Sequence, residues 1–502
     1  MTFLDQMKKE LLENHNVSIT ENNAVGFATT GTKLLDVNFK MSSYRNLSDN
    51  EIVQDFEMAF YENKLMAMKF LFFARDVREG LGERRFFRVV TKWMSQEKRE
   101  YIRPLLSLFS EFGRWDDLVI LANTFLADDI YKIISTQLKK DIDNMNKGEN
   151  VSLLAKWMPS INTSSLETRK LAKDVIKKLG LTESEYRKTL SALRKHIDVL
   201  EVKMSARKWD AIDYSRVPSR ANLLYTGAFL RNDEERRRAF LDSVERGEMK
   251  INADVLFPHD ILHKYSNLSG KQQDLELLWK NLPRQEDLGK TIVVADGSYS
   301  MTSRIDGTNI SALTVANALA IYFAEQLKGE FKNKYITFSN SPKLVNLGDD
   351  TTLNEKIRIA LRHSEVQNTN IEKVFKLILS TAIRGQMLQN HLPETILILS
   401  DMEFDDATSG DRSKSLFKNI EDKFAEAGFK IPKLVFWNIL SRTNTIPLIE
   451  NDLGVTLVSG FSPNTMKMVM NEHLDPAAAL FEVLNSERYK IIEDKYNEIM
   501  SR

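Results

Sequence analysis

The sequence predicts an α + α/β protein. An N-terminal array of helices over residues 1–285 is followed, over residues 286–502, by a domain built on a parallel, doubly wound sheet with further helices at its C-terminal end. Three observations carry this. Apolar residues recur at helical spacing from about Asp49 to Leu282, short β-branched runs alternate with helical segments after Pro283, and 502 residues exceed one ordinary core at roughly 100–200 residues per domain.

The opening stretch MTFLDQMKKELLENHN has no apolar run of signal-peptide type, and nowhere do 18 uninterrupted apolar residues occur. The expected address is therefore the cytoplasm, with no membrane partner. The rest of the first 45 residues lacks periodicity and is expected to lie against the helices as irregular structure. With 42% apolar and 28% charged residues the chain carries enough of both for packed cores and a soluble surface, which argues against disorder. Zero cysteines exclude disulfides, thiolate zinc sites and cysteine nucleophiles together.

From Asn50 the run NEIVQDFEMAFYENKLMAMKFLFFARDVREG places Ile52, Phe56, Phe60, Leu65, Met68, Leu71 and Phe72 near helical spacing. RRFFRVVTKWM, YIRPLLSLFSEF and WDDLVILANTFL continue in expected pieces of about 10–15 residues, parted by Gly, Pro or polar breaks. Consecutive helices with short joints suit helical hairpins stacked as a solenoid, which curves into a concave binding surface; a globular bundle is the rival arrangement.

Charge in this half is uneven. Residues 1–290 hold 47 basic and 43 acidic side chains, a slight excess of +4, but residues 151–220 alone hold 15 and 8, a local +7. Lys170, Lys173, Lys177, Lys178, Arg187, Lys188, Arg194, Lys195, Lys203, Arg207 and Lys208 fall there and are candidates for tracking a phosphate backbone. A solvated helix face has the same composition. Around the Gly-rich joint of RDVREGLGERRFFRV stand Arg75, Arg78, Arg84, Arg85 and Arg88. Interleaved Asp76, Glu79 and Glu83 can neutralise much of that charge, so structural pairing is the expected use. Trp93, Trp115, Trp157 and Trp209 are expected to be core residues, since burying an indole is favourable, although exposed aromatics can stack on bases.

After Pro283, TIVVAD, KYITFS, ETILILSD, KLVFWNIL and VTLVSG read as strands. Between them NISALTVANALAIYFAEQLKG, NIEKVFKLILSTAIRG and RSKSLFKNIEDKFAEAG read as helices. Ligands of such sheets bind at the carboxyl ends of the strands. There the sequence IVVADGSYSM sets Asp296, Ser298 and Ser300 at alternate positions in one turn. Thr369 precedes a later helix, and Asp401 ends another strand. One or two carboxylates with three hydroxyls suit a hard divalent cation, Mg²⁺ first, with Mn²⁺ or Ca²⁺ as alternatives. The competing use of the same residues is to cap the next helix and satisfy turn amides.

The segments DGSYSM, NTNI and LSDMEF, in that order, resemble the metal-ion-dependent adhesion site of von Willebrand factor type A domains over roughly residues 286–470. The resemblance implies a Rossmann-like fold in which Ser298, Ser300 and Thr369 ligate the cation, with Asp296 and Asp401 close by, often through water. The usual Gly-rich lead-in to the Thr is here Val366-Gln-Asn. A partner's acidic side chain would complete the coordination of a cation left with residual positive charge.

A helical module followed by such a domain resembles the plan of the Ro autoantigen family, whose TROVE module is a ring of HEAT-like helices that binds noncoding and misfolded RNA. More closely, RDVREGLGERRFFRVV, KWMPS, YSRVPSRA and FPHDILHKY resemble an uncharacterised Ro-like family of cellular and viral proteins. This implies a ribonucleoprotein component that binds structured or single-stranded RNA through its helices and a protein partner through its cation. The alternative is a metal-dependent interaction scaffold without RNA.

Enzyme chemistry is not expected. REGLG lacks the third Gly and the strand of a dinucleotide site, no GxxxxGK[ST] is present, and no G-x-S-x-G elbow surrounds Ser298. An Asp-nucleophile phosphatase would need an acid at position 298, where a Ser stands.

Overall fold

The computed structural model describes residues 16–265, 272–284, 288–306, 308–338, 341–364, 370–405, 416–469 and 475–500. The chain divides into two compact units. One is a sheet unit containing the described residues up to 70, 79–81 and those of 252–486; the other is a helical unit containing 71–78, 82–251 and those from 487 onward. The division is thus not the linear one at 285/286. Residues 16–70 and 252–284 belong with the sheet, and the C-terminal helix Glu487–Met500 belongs with the helical unit. That helix is fastened by Arg488, whose Nε donates to the buried Asp76 at 2.6 Å, and by Tyr489, which stacks on Phe112.

The sheet unit opens with a short antiparallel pair, β1 (Ser18–Ile19) and β2 (Val25–Gly26). Its main sheet has six strands: β3 (Thr291–Asp296), β4 (Lys334–Phe338), β5 (Lys343–Asn346), β6 (Thr395–Ser400), β7 (Lys433–Asn438) and β8 (Val455–Ser459), in the order β5-β4-β3-β6-β7-β8. All pairings are parallel except β4 with β5. The sheet is therefore mixed, not wholly parallel. Only a few residues separate β4 from β5, and a parallel return needs a crossover of about a dozen.

β3, TIVVAD, is buried at every position, as the central strand of a sheet covered on both faces must be. The helix Ala312–Ala324 covers it, and its alanines let backbone approach backbone closely. The chain leaves β3 toward β4 on one side and returns to β6 on the other. A crevice consequently opens between the carboxyl ends of β3 and β6.

Residues 16–46 lie against a helix, as expected, but are not wholly irregular: their own helix Lys33–Phe39 packs on Asp49–Glu62, and the segment also docks on the carboxyl edge of this sheet. Phe27 exchanges two backbone hydrogen bonds with Ile446, and Asn38 Nδ2 donates to the Leu457 carbonyl. Asn438 Nδ2 donates to the Phe39 carbonyl, and Ser42 donates its amide to Ser459 Oγ. Polar side chains at the ends of β7 and β8 thus find their partners in a segment some 400 positions away, which no local pattern announces. Gly26 is required there, because a Cβ would stand 2.6 Å from the Ile446 carbonyl oxygen.

The expected long run from Asn50 breaks at Asn63 into Asp49–Glu62, a helix of the sheet unit, and Lys64–Arg75, whose first residues belong to the sheet unit and whose last belong to the helical unit. Capping boxes start the helices Asp49–Glu62 at Ser48 and Glu183–His196 at Thr182. The helix Ala127–Asn146 packs against both Leu166–Leu179 and Glu183–His196, and Ser219–Asn232 packs against Glu234–Glu245. YIRPLLSLFSEF and WDDLVILANTFL do not make helices of 10–15 residues. They form short turns, Arg99–Ile102, Arg103–Leu108, Phe109–Phe112 and Trp115–Val119, because Pro104 withdraws an amide donor and Gly113 ends the run.

Gly26→Ala is expected to loosen residues 16–46 by about 1–3 kcal/mol, as overpacking against backbone does. Limited proteolysis should then cut this segment faster than in the parent. Equal cleavage rates would show that the segment does not depend on the close approach.

Candidate functional site

The crevice between β3 and β6 brings together side chains that are far apart in sequence. Ala295 pairs with Leu399, so Asp296 and Ser400 stand side by side at the ends of adjacent strands. Asp296 is buried; its Oδ1 accepts from the Ser298 amide at 2.9 Å and its Oδ2 from Ser400 Oγ at 2.6 Å. Ser298 and Ser300 share a hydrogen bond of 2.9 Å between their hydroxyls. Alternation places these two serines together inside, while Tyr299 between them is 74% exposed.

Asp401 is fully buried at the turn leaving β6. Burial pushes the Asp296 carboxyl up to about 7, with the neighbouring Asp401 charge adding to the effect and the Ser400 and Ser298 hydrogen bonds opposing it. Burial likewise raises Asp401, against the Ser300 hydroxyl and the Arg442 charge. Arg442 Nη1 stands 3.3 Å from Asp401 Oδ2, yet that oxygen accepts no hydrogen bond. The guanidinium offers charge at a poor angle. Its Nη2 is engaged instead at 2.7 Å by Glu21, from the loop between β1 and β2.

The turn after β6 sends its two acids different ways. Met402 lies between them in the left-handed region at φ 63°, a conformation that costs an L-residue roughly 1 kcal/mol and tends to persist where a site requires it. Glu403, also fully buried, points into a nest of donors. Its Oε1 accepts from the amides of Arg442 at 2.7 Å and Thr443 at 2.9 Å and from Ser441 Oγ, while its Oε2 accepts from the Glu21 amide at 3.0 Å. Glu403 is thereby satisfied as a structural carboxylate, whereas Asp401 is not.

Of the sequence candidates, the structure brings Asp296, Ser298, Ser300 and Asp401 together. Thr369 lies outside the described residues; Asn370 after it caps the helix Ile371–Arg384 through Oδ1 and the Lys373 amide. Ser400, Glu403, Arg442 and Glu21 were not foreseen. Only Glu403 carried a signal, standing two residues after Asp401 at a strand end. His259 and His263, four apart on the helix Pro258–Tyr265, have the spacing of a helical ligand pair and were not foreseen either. His259 packs between the rings of Phe257 and Phe461, and among the described residues no group of three or more His, Asp or Glu converges as a metal-binding set. Any cation at the crevice must therefore use hydroxyls, water or a partner's oxygen besides the carboxylates.

In the helical unit, Lys170, Lys173, Lys177, Lys178, Arg187, Lys188, Lys195, Arg207 and Lys208 are exposed. Arg194 is not available in the same way, because its guanidinium donates to the carbonyls of Ala155 and Met158 and to Ser160 Oγ. Lys203 is paired with Asp198. Trp115 is buried, while Trp93, Trp157 and Trp209 are half-buried.

A family model described as a domain of unknown function, DUF2828, matches residues 20–108 and 123–292, just over half of the chain. The chain belongs to the DUF2828 family. A second model, a domain of unknown function named DUF7788, matches residues 290–499 and so covers both strand ends of the crevice. The chain is also similar to a protein of Acanthamoeba polyphaga mimivirus named "Uncharacterized protein L728", with 29% identity over 93% of this chain and 87% of the viral one. The similarity runs across both family matches.

A native carboxyl raised above its unfolded value of roughly 4 binds its proton more tightly when folded, so its contribution to stability is full below that value and is lost as pH rises through about 7. With a chelator present, the stability difference between Asp296→Asn and the parent should shift in the variant's favour between those limits, read from urea midpoints at several pH values. A difference independent of pH would mean that Asp296 is not held in its protonated form.

Proposed function

We propose that the sheet unit holds a divalent cation between the ends of β3 and β6 and uses it to grip a carboxylate of a protein partner. The observation that carries this is the pair of buried carboxylates, Asp296 and Asp401, at adjoining strand ends, with Asp401 Oδ2 buried and accepting no hydrogen bond. A dication supplies the compensation that Arg442 gives only from one side, and an oxygen-only donor set suits Mg²⁺ or Mn²⁺. Asp296, Ser298, Ser300 and Asp401 would hold it, with Thr369 as the further hydroxyl implied by the von Willebrand factor type A likeness. The bound cation would supply a positive centre for an incoming carboxylate. The exposed Tyr299 beside the two serines gives that partner a rigid aromatic neighbour.

A second reading concerns the helical unit, which on the Ro-like plan would bind RNA. It is supported by the lysines themselves. Lys170, Lys173 and Lys177 recur along one exposed side of the helix Leu166–Leu179, Lys188 and Lys195 recur along Glu183–His196, and among the described residues none of these five makes an ion pair. Unpaired lysines keep their charge for phosphates.

Titration calorimetry with Mg²⁺ should give binding heat with the parent and none with Asp296→Ala, while Ser300→Ala should bind about tenfold more weakly, about 1.4 kcal/mol. Equal binding by parent and Asp296→Ala would remove the cation assignment. For RNA, Lys173→Ala with Lys177→Ala should weaken binding of unrelated single strands alike and reduce the salt slope by about 2. Unchanged affinity and slope would take this face out of the reading.

A further inference from the structure

The arginines around the Gly-rich joint do not all have the structural use expected of them. Arg75 and Arg88 do: Arg75 donates from Nε at 2.8 Å and Nη2 at 2.7 Å to the fully buried Asp117, and Arg88 donates from Nε to the other oxygen of Asp117 at 2.6 Å and from Nη2 to Asp116 at 2.8 Å. Arg114 clasps Asp116 from Nε at 2.9 Å and Nη2 at 2.7 Å, with its guanidinium 4.0 Å above the ring of Trp157. Gly113 is needed for this closeness, since a Cβ would stand 2.6 Å from Asp117 Oδ2.

Arg84 stands next to these groups and holds none of them. It begins the helix Arg84–Glu97, is exposed, and among the described residues makes no hydrogen bond or ion pair. Its surroundings disfavour its charge: partial burial and the neighbouring guanidiniums of Arg88 and Arg114 push its pKa down against the pull of Asp116 and Asp117. Nη1 of Arg88 and Nη1 of Arg114 also make no hydrogen bond among the described residues. Arg84 stands one helical turn before Arg88, while the guanidiniums of Arg75, Arg88 and Arg114 already take the two carboxylates of Asp116 and Asp117. A cluster built only to pair charges would not need the fourth.

We infer that Arg84, with the unengaged edges of Arg88 and Arg114, forms a phosphate-binding site on the helical unit. The guanidinium fork matches two oxygens of a tetrahedral oxyanion, and the pairs beneath it fix Arg88 and Arg114 in place beforehand, so little side-chain freedom is lost on binding. Three guanidiniums with donors to spare suit the several oxygens of a phosphate group better than the two of a carboxylate. Free phosphate and the backbone phosphates of RNA offer the same chemistry; the second source rests on the RNA reading above, the first does not.

The test uses the full-length parent protein and phenylglyoxal, which attacks the neutral guanidine, with modified arginines mapped by peptide mass spectrometry. Arg84 should react ahead of Arg75, Arg88 and Arg114, and inorganic phosphate should slow it roughly threefold relative to chloride of equal ionic strength, as occupancy at twice the dissociation constant requires. Arg84 reacting no faster than Arg75, or phosphate protecting no better than chloride, would overturn the site. A short uridine oligonucleotide should protect Arg84 as well if RNA supplies the phosphate. Protection by phosphate but not by the oligonucleotide would leave the site standing and separate it from the RNA reading. Arg84→Ala, whose lost guanidinium supports no other residue, should retain the parent's unfolding midpoint.

Discussion

The sheet unit is organised around two carboxylates that it buries side by side. Placing Asp296 and Asp401 at the ends of neighbouring parallel strands costs free energy, because each loses water and each disfavours the charge of the other. That arrangement persists only where the surroundings hold it rigidly. Full burial of β3, the hydrogen bond from Ser400 across the strand pair, the paired hydroxyls of Ser298 and Ser300, and the left-handed Met402 all act to keep the two acids where they are.

The strand ends beside the crevice are covered from the other end of the chain. Residues 16–46 dock on the same strand ends, and Glu403 is the rivet, since its carboxylate collects donors both from 441–443 and from the amide of Glu21. The same segment restrains Arg442 through Glu21 and so sets how much positive charge reaches Asp401. A carboxylate with all its lone pairs used can be buried as structure; one with an oxygen left over keeps its capacity to bind. Glu403 and Asp401 are two residues apart and fall on opposite sides of that distinction.

Much of this was legible in the sequence wherever the cause was local. Alternation put Ser298 and Ser300 on one side of Tyr299, the apolar runs located five of the six strands of the main sheet, and the strand-to-helix turn explained why Asp296 should sit at a ligand-binding edge. What was illegible depended on distant pairing. KLVN is too short and too exposed to declare β5, and the residues before Asn46 show little periodicity because their elements are very short, down to the two-residue strands β1 and β2 and the helix Lys33–Phe39, and take their partners from the ends of β7 and β8. Arg442 and Glu21 carry no motif at all. The compact units cut across the linear boundary, near which the two family matches meet, for the same reason, since Arg488 finds Asp76 and Ser42 finds Ser459 across most of the chain.

The helical unit shows why counting charges is a poor guide to binding. Arg75, Arg88, Arg114 and Arg194 each add a cation to the count, yet their donors are largely spent on Asp116, Asp117 or backbone carbonyls, and they serve the fold. Lys170, Lys173 and Lys177 sit in a helix with few acids in reach, and Arg84 sits beside carboxylates already claimed by others. Electrostatic attraction for an anion comes from charge that the protein has not already neutralised. The residues that matter for recognition are then those with donors to spare, and an arginine cluster that looks structural by composition becomes a binding surface through the one member whose partners are all taken.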